Sequence, residues 1–266
     1  MVIRTTALAL SLAIIGGCAM KAPRVPAPLQ DGAIADFGPN SPWNPDLGWL
    51  GSDPVAAALK PAGQEQLAKL LSDSRVVRRA SELARSRWRS IGQVLARSGA
   101  YRPMVHRELQ RQGVPIELAS VPVIESGYVP NALGRWVAGL WQFTTDTARA
   151  YGLTVDQRID QRKDPERSTR AAASYLRDLY ERFGRWDLAL AGYNAGPARV
   201  EQALRRRPGA DFFELSEGGL LPEITRRYVP DVLATALITS DPGRFGLEPS
   251  VQQRASLFSR LTAFLG

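Results

Sequence analysis

The sequence predicts a compact, mainly α-helical domain with little or no β-structure. Three observations carry that expectation. From about residue 64 onward, apolar residues recur at helical spacing. Gly and Pro fall where helices end and begin, as at Gly99, Pro103, Gly113, Gly184 and Gly196-Pro197. No strand-hairpin signal and no internal repeat interrupts the pattern.

Taken in order, GQEQLAKLLSDSRVVRRASELARSRWRSIGQVLARSG reads as one helical run that Gly99 stops. YRPMVHRELQRQG is a helix with Pro103 early and Gly113 past its end. VPIELASVPVIESG starts at Pro115, and Pro122 should kink it or mark its last turns. An irregular stretch, YVPNALGRWVAG, follows. Thr144 or Thr145 caps TTDTARAYG, and Gly152 closes it. Asp164-Pro165 opens DPERSTRAAASYLRDLYERFG, the clearest helix in the chain, closed by Gly184. WDLALAGYNAG and PARVEQALRRR are two short helices split at Gly196-Pro197. EITRRYVPDVLATALI and SVQQRASLFSRLTAFL complete the set.

The first residues read differently. MVIRTTALALSLAIIGGCAM has Arg4, an apolar run from Ala7 to Ile15, and then small residues. That is a secretory signal, too short and wrongly flanked for a spanning helix. Residues 21–63 are rich in Pro and Gly and read as an extended tether, which Trp43 and Trp49 could dock onto the folded domain. Residues 64–112 form an N-terminal helical segment, 113–248 the main domain and 249–266 a C-terminal helix.

Composition narrows the chemistry. The 266 residues suffice for one sizeable core. A formal charge of +8 favours polyanions such as nucleic acid, anionic lipid or an acidic cell wall. Much of the excess lies in the Arg-rich span 75–111, however, and reads as helix surface. No nucleic-acid motif appears, so no nucleic-acid partner is expected. The chain holds one His and one Cys. His106 sits in a polar helical stretch with no nucleophile signature near it, and reads as a surface residue. Structural zinc and an intrachain disulfide are excluded, and no metal site is expected. Neither a Walker loop nor a GxGxxG fingerprint occurs, and no cofactor is expected.

One stretch raises a question of its own. VIESGY, residues 123–128, ends an apolar run with Glu125. A buried carboxyl is costly unless it is paired or neutral. The apolar neighbours Val121, Val123 and Ile124, with the negative end of a helix dipole, should raise its pKa. A carboxyl protonated near neutral pH can act as a general acid. From this stretch alone, an ion pair with one of the many Arg residues is the more ordinary reading. Three further stretches shift the weight. GLWQF (139–143) puts an amide between two aromatic rings, AGYNAGP (191–197) a phenol and an amide at a helix break, and RRYVP (226–230) a second Tyr. Amides and phenols beside aromatic faces suit sugars.

In this order the stretches resemble a known family. ES at 125–126, GLWQF, the TARAYGL that follows it and AGYNAG are similar to the motifs of lytic transglycosylases of the soluble-transglycosylase (SLT) type. ELQRQGVPIELASVPVIES, DPERSTRAAASYLRDLYERFGRWDLALAGYNAG and LPEITRRYVPDVLATALI resemble the membrane-bound murein transglycosylase D subgroup. The resemblance covers roughly residues 75–248. It implies a goose-lysozyme-like helical fold over the 113–248 domain. It also implies cleavage of the MurNAc–GlcNAc β-1,4 bond of peptidoglycan glycan strands without water, leaving 1,6-anhydroMurNAc ends.

By the same resemblance Glu125 is the single general acid and base. Ser126, Trp141, Gln142, Phe143, Tyr193, Asn194 and Tyr228 fall at substrate-binding positions. Tyr193 is expected near Glu125, Gln142 on substrate polar groups, and Asn194 partly structural. Glu117 and Asp146 read as helix-start carboxylates rather than a second acid. Ile15-Gly16-Gly17-Cys18 resembles a bacterial lipobox, which implies lipidation of Cys18 and a membrane anchor. Ala19, where Asp would signal inner-membrane retention, implies the outer membrane facing the periplasm. The chain departs from the family at YVPNALGRWVAG, which is one residue shorter and lacks a Ser, and at Thr144-Thr145 in place of Met/Ile-Pro. The subgroup's C-terminal LysM repeats are absent from the sequence, so wall affinity is expected from the cleft, the basic surface or the tether. The alternatives are a lysozyme-like muramidase and a non-catalytic wall-binding lipoprotein.

Overall fold

The computed structural model describes residues 61–247. The signal segment, Cys18, nearly all of the tether with Trp43 and Trp49, and the 249–266 helix lie outside the described residues. Among those described, ten α-helices and one two-stranded antiparallel sheet occur. The mainly α expectation holds.

The first helical run is two helices. α1 spans Pro61–Ser72 and α2 Ser74–Ser98. Asp73 separates them because its carboxylate accepts the backbone N–H of Arg75 at 2.8 Å and so caps the second helix. α3 runs Arg102–Arg111. The segment from Pro115 is also split. A 3-10 turn, Ile116–Ser120, precedes α4, Val121–Ser126. Pro122 thus sits in the first turn of α4, where its missing N–H costs nothing, and it marks the last turns of the segment as expected.

β1 (Val137–Ala138) pairs with β2 (Phe143–Thr144) in the register Val137 to Thr144. α5 (Thr145–Ala150) follows, and Thr144 caps it by accepting from Thr147 N–H. α6 (Pro165–Phe183) has the caps its sequence announced. Asp164 accepts two backbone N–H groups at the start, and Gly184 adopts φ 67° at the end. α7 (Trp186–Ala195) and α8 (Pro197–Arg206) flank Gly196. α9 (Phe212–Glu217), which the pattern reading missed, is opened by a capping box between Asp211 and Glu214. α10 spans Glu223–Ser240 and carries Pro230 inside it.

α7 is the hub. Every residue from Trp186 to Gly192 is buried, and α6, α8 and α10 pack around it. Gly192 permits the contact with α6, since a methyl there would come within 3.0 Å of Leu179 and Phe183. α10 lies along α2, α4 and α7, so it reaches both the core and the end of the short Glu125 helix. A smaller apolar cluster joins α2 to the last turns of α10 through Ala80, Leu83, Ala234 and Ile238.

Part of the Arg-rich surface is engaged with the fold. Glu108 of α3, 1 % exposed, meets Arg111 at 2.8 Å, Arg170 at 3.4 Å and Arg107 at 3.5 Å. Asp187, fully buried, binds Arg185 at 2.9 Å and accepts from the N–H of Leu188 and of Phe212, which fixes α9 to the start of α7.

Candidate active site

Glu125 lies on the last turn of α4, half-buried. Its Oε1 accepts a hydrogen bond from the Tyr228 hydroxyl at 2.7 Å. Burial pushes the carboxyl up to about 7, and the phenol's bond opposes that shift by favouring the ionised form. The partner that the structure supplies is a phenol rather than a guanidinium. α4 is only six residues long, so desolvation rather than a helix dipole carries the effect.

The end of α4 is held in an unusual backbone. Gly127 has φ 60° and Tyr128 φ 59°. The left-handed region costs a non-glycine residue about 1–2 kcal/mol, and contacts must offset it. Tyr128 is fully buried, donates its hydroxyl to Ala119 O at 2.9 Å and stacks on Tyr101. Arg97 reaches from α2 to the Gly127 carbonyl at 2.6 Å. None of these restraints was foreseen from the sequence, because they join residues far apart along it.

Ser126 donates to the Leu140 carbonyl at 2.8 Å and so ties α4 to the GLWQF stretch. Tyr193 of α7 donates to the next carbonyl, that of Trp141, also at 2.8 Å. Three sequence-distant motifs therefore converge on residues 140–141. Tyr193 also joins an aromatic cluster with Phe143 and Tyr175. Asn194 accepts from the Thr225 hydroxyl at 2.8 Å, which links the helix break to α10. Thr225 was not singled out in the sequence, although it lies one helical turn before Tyr228 and so on the same face.

Two of the residues expected at substrate-binding positions lie in the core. Trp141 is fully buried and donates its indole N–H to Thr169 at 2.9 Å, and Phe143 is 3 % exposed. Both were placed with the substrate-binding positions. Their rings pack in the hydrophobic core, because large aromatic surfaces gain most from burial. Gln142 is half-buried with φ 49°. Its side-chain NH₂ donates to Gly139 O at 2.8 Å and Ala132 O at 3.3 Å, so those donors serve the loop rather than a ligand. Gly139, at φ 85°, is required there: a Cβ would lie 1.7 Å from the Arg162 carbonyl oxygen. Tyr228 is 3 % exposed, with its hydroxyl turned to Glu125.

Glu117 and Asp146 lie in the first turns of their helices, Glu117 partly buried and Asp146 exposed. His106 is half-buried and lines a pocket of about 320 Å³ with Arg102 and Glu117. Burial and Arg102 hold it below its ordinary value. Glu125 is not among the residues lining that pocket.

Part of the chain is similar to known proteins. Residues 103–215 match the family model described as the Transglycosylase SLT domain. The chain is 33 % identical over 171 residues to membrane-bound lytic murein transglycosylase D of Escherichia coli, a match covering 62 % of this chain and 37 % of that protein. It is 38 % identical over 95 residues to membrane-bound lytic murein transglycosylase F of Shewanella loihica, covering 33 % and 19 %. The chain thus spans little more than a third of the length of the first relative. A solved structure of the lytic transglycosylase Slt from Pseudomonas aeruginosa aligns with TM-score 0.47 and 27 % identity, over 56 % of this chain and 25 % of that one. Glu125, Gln142 and Tyr193 all fall inside the matched span.

Proposed function

We propose that the protein is a peptidoglycan lytic transglycosylase that cleaves the MurNAc–GlcNAc β-1,4 bond, with Glu125 as its single acid and base. The observation that carries this reading is a carboxyl with pKa about 7, hydrogen-bonded to Tyr228, at the point where the three motifs converge. A group so poised is protonated for part of the time near neutral pH and can give and regain one proton.

In the first half of the reaction Glu125 donates its proton to the glycosidic oxygen, and the C1–O bond breaks. The carboxylate left behind is stabilised by the Tyr228 hydroxyl. In the second half, the MurNAc C6 hydroxyl oxygen bonds to C1 and its proton passes to Glu125. The product is a 1,6-anhydro ring, no water is consumed, and the enzyme returns to its starting state. A hydrolase ordinarily places a second carboxylate to activate or replace water. Glu117 and Asp146, the carboxylates flanking the Glu125 and GLWQF stretches, sit at helix starts, Glu117 partly buried and Asp146 exposed. Ser126, Gln142, Tyr193 and Asn194 are proposed to shape the substrate site. Trp141 and Phe143 pack in the core.

The lipobox-like Ile15-Gly16-Gly17-Cys18 supports an envelope location with a lipid anchor at Cys18. The relatives' names, which include "membrane-bound", support the same placement. Labelling with a tagged fatty acid should mark the wild-type chain and not Cys18→Ala. The activity is tested by digesting isolated sacculi and reading the muropeptides by mass spectrometry. Anhydro ends are expected. Ordinary reducing ends, one water heavier, would identify a muramidase instead.

A further inference from the structure

We propose that Arg135 and Trp136 form a glycan-stacking platform beside the Glu125 site, a positioning contact for the sugar chain. The proposal rests on the reading of the protein as a peptidoglycan enzyme and deepens it. Trp136 is 73 % exposed and Leu133 69 %, the two most exposed of the large apolar side chains described. An exposed indole normally collapses onto the nearest apolar surface. Here the backbone prevents it. Leu133 bridges to Ala138, and Gly134 N–H donates to Val137 O at 2.9 Å, which makes Arg135 and Trp136 the two tip residues of a tight hairpin. The hairpin continues through β1 into β2. Gly134 allows the tight approach, since a Cβ there would lie 2.6 Å from a Val137 methyl.

The tip is rigidly connected to the chemistry. The Gln142 carboxamide donates to Ala132 O and Gly139 O, clamping the base of the hairpin. Gly139 N–H donates to Ala132 O at 2.9 Å. Ser126, next to Glu125, donates to Leu140 O one residue further on. A tip whose backbone is held in place in advance loses less freedom when it binds. The flat, electron-rich face of the indole suits the C–H face of a pyranose ring. The Arg135 guanidinium lies 5.3 Å from the Trp136 ring centroid and adds donors and a positive charge suited to the carboxylates of a wall polymer. A lipid surface could also take an exposed Trp and Arg. Continuity with Ser126 and Gln142 favours the glycan.

The test separates binding from chemistry. In the full chain carrying Glu125→Gln, binding to isolated sacculi is measured for Trp136→Ala, Trp136→Phe and Arg135→Ala. Steady-state kinetics on soluble glycan strands are run with Glu125 intact. We expect Trp136→Ala to weaken sacculus binding and raise KM about tenfold with kcat little changed. Trp136→Phe should recover most of the loss, and Arg135→Ala should weaken binding less than Trp136→Ala does. Melting temperatures should stay near that of the parent. Unchanged affinity and KM would overturn the platform, and so would a fall in kcat without a rise in KM. Loss of binding to anionic phosphatidylglycerol vesicles with sacculus binding intact would also overturn it, in favour of a membrane contact. Failure of the enzymatic reading shows separately, as full activity in Glu125→Gln.

Discussion

Glu108 and Glu125 are both acids drawn into a helical core, and they are treated in opposite ways. Glu108 meets the guanidinium groups of Arg107, Arg111 and Arg170. Glu125 receives a single phenolic O–H, from Tyr228, and its pKa rises to about 7. Burial beside a neutral donor favours the proton on Glu125. The first arrangement serves packing. The second keeps a proton available at a defined place, and the fold bears the cost. This basic chain therefore uses Arg in its structural ion pairs and puts a phenol where the chemistry is proposed.

The largest test of the contrast removes the proton itself. Glu125→Gln should lower the rate of anhydro-muropeptide release by at least about 100-fold, while Glu108→Gln should leave the release rate per folded molecule unchanged. A sacculus digest that gave equal losses for the two would abolish the distinction.

The same pair should diverge in stability. The folded-state pKa of Glu125 lies above its ordinary 4.5, so the folded chain holds this proton more tightly than the unfolded one. Its contribution is therefore fully present below about pH 4.5 and is lost as pH rises through about 7. A shift of that size corresponds to about 3 kcal/mol. Glu125→Gln should accordingly raise the melting temperature at pH 8 and change it little at pH 4. Glu108→Gln should destabilise, by about 1–3 kcal/mol, since it weakens a cluster whose Arg partners remain half in water. Denaturant unfolding of both variants at the two pH values measures this. A Glu125→Gln variant less stable than the parent at pH 8 would remove the argument for an uncompensated carboxyl.

Activity should fall as pH rises past about 7, because the acid form is the one that donates. The smallest effect is expected at Tyr228→Phe. It deletes the bond that favours the ionised form, so the alkaline limb of the kcat/KM profile should move upward, by up to about one pH unit. A downward shift would mean that Tyr228 holds the protonated form instead.

Local signals were well recorded in the sequence. Asp164 and Gly184 bound α6 as written, Thr144 caps α5, and Gly196-Pro197 divides α7 from α8. Each is a case in which one residue's own geometry or hydrogen bond decides the chain's path. The misreadings arose where several local choices competed. Asp73 broke an apparently continuous helix by capping its second half. α9 was passed over because its six residues are too few to show a period.

The site divides along the same line. That Glu125 would be kept from water, and its pKa raised, could be read from Val121, Val123 and Ile124 beside it. The sequence by itself determined the helical class and most helix ends, and it offered Glu125 as the candidate acid. Only tertiary structure decided that Trp141 and Phe143 are buried, that Gln142 clamps a hairpin, and that Tyr228, 103 residues away, closes on Glu125. Caps and periods act over one or two turns and survive in a linear reading. Burial and side-chain partners depend on which surfaces meet when α4, α7 and α10 pack together, and that is a property of the assembled core.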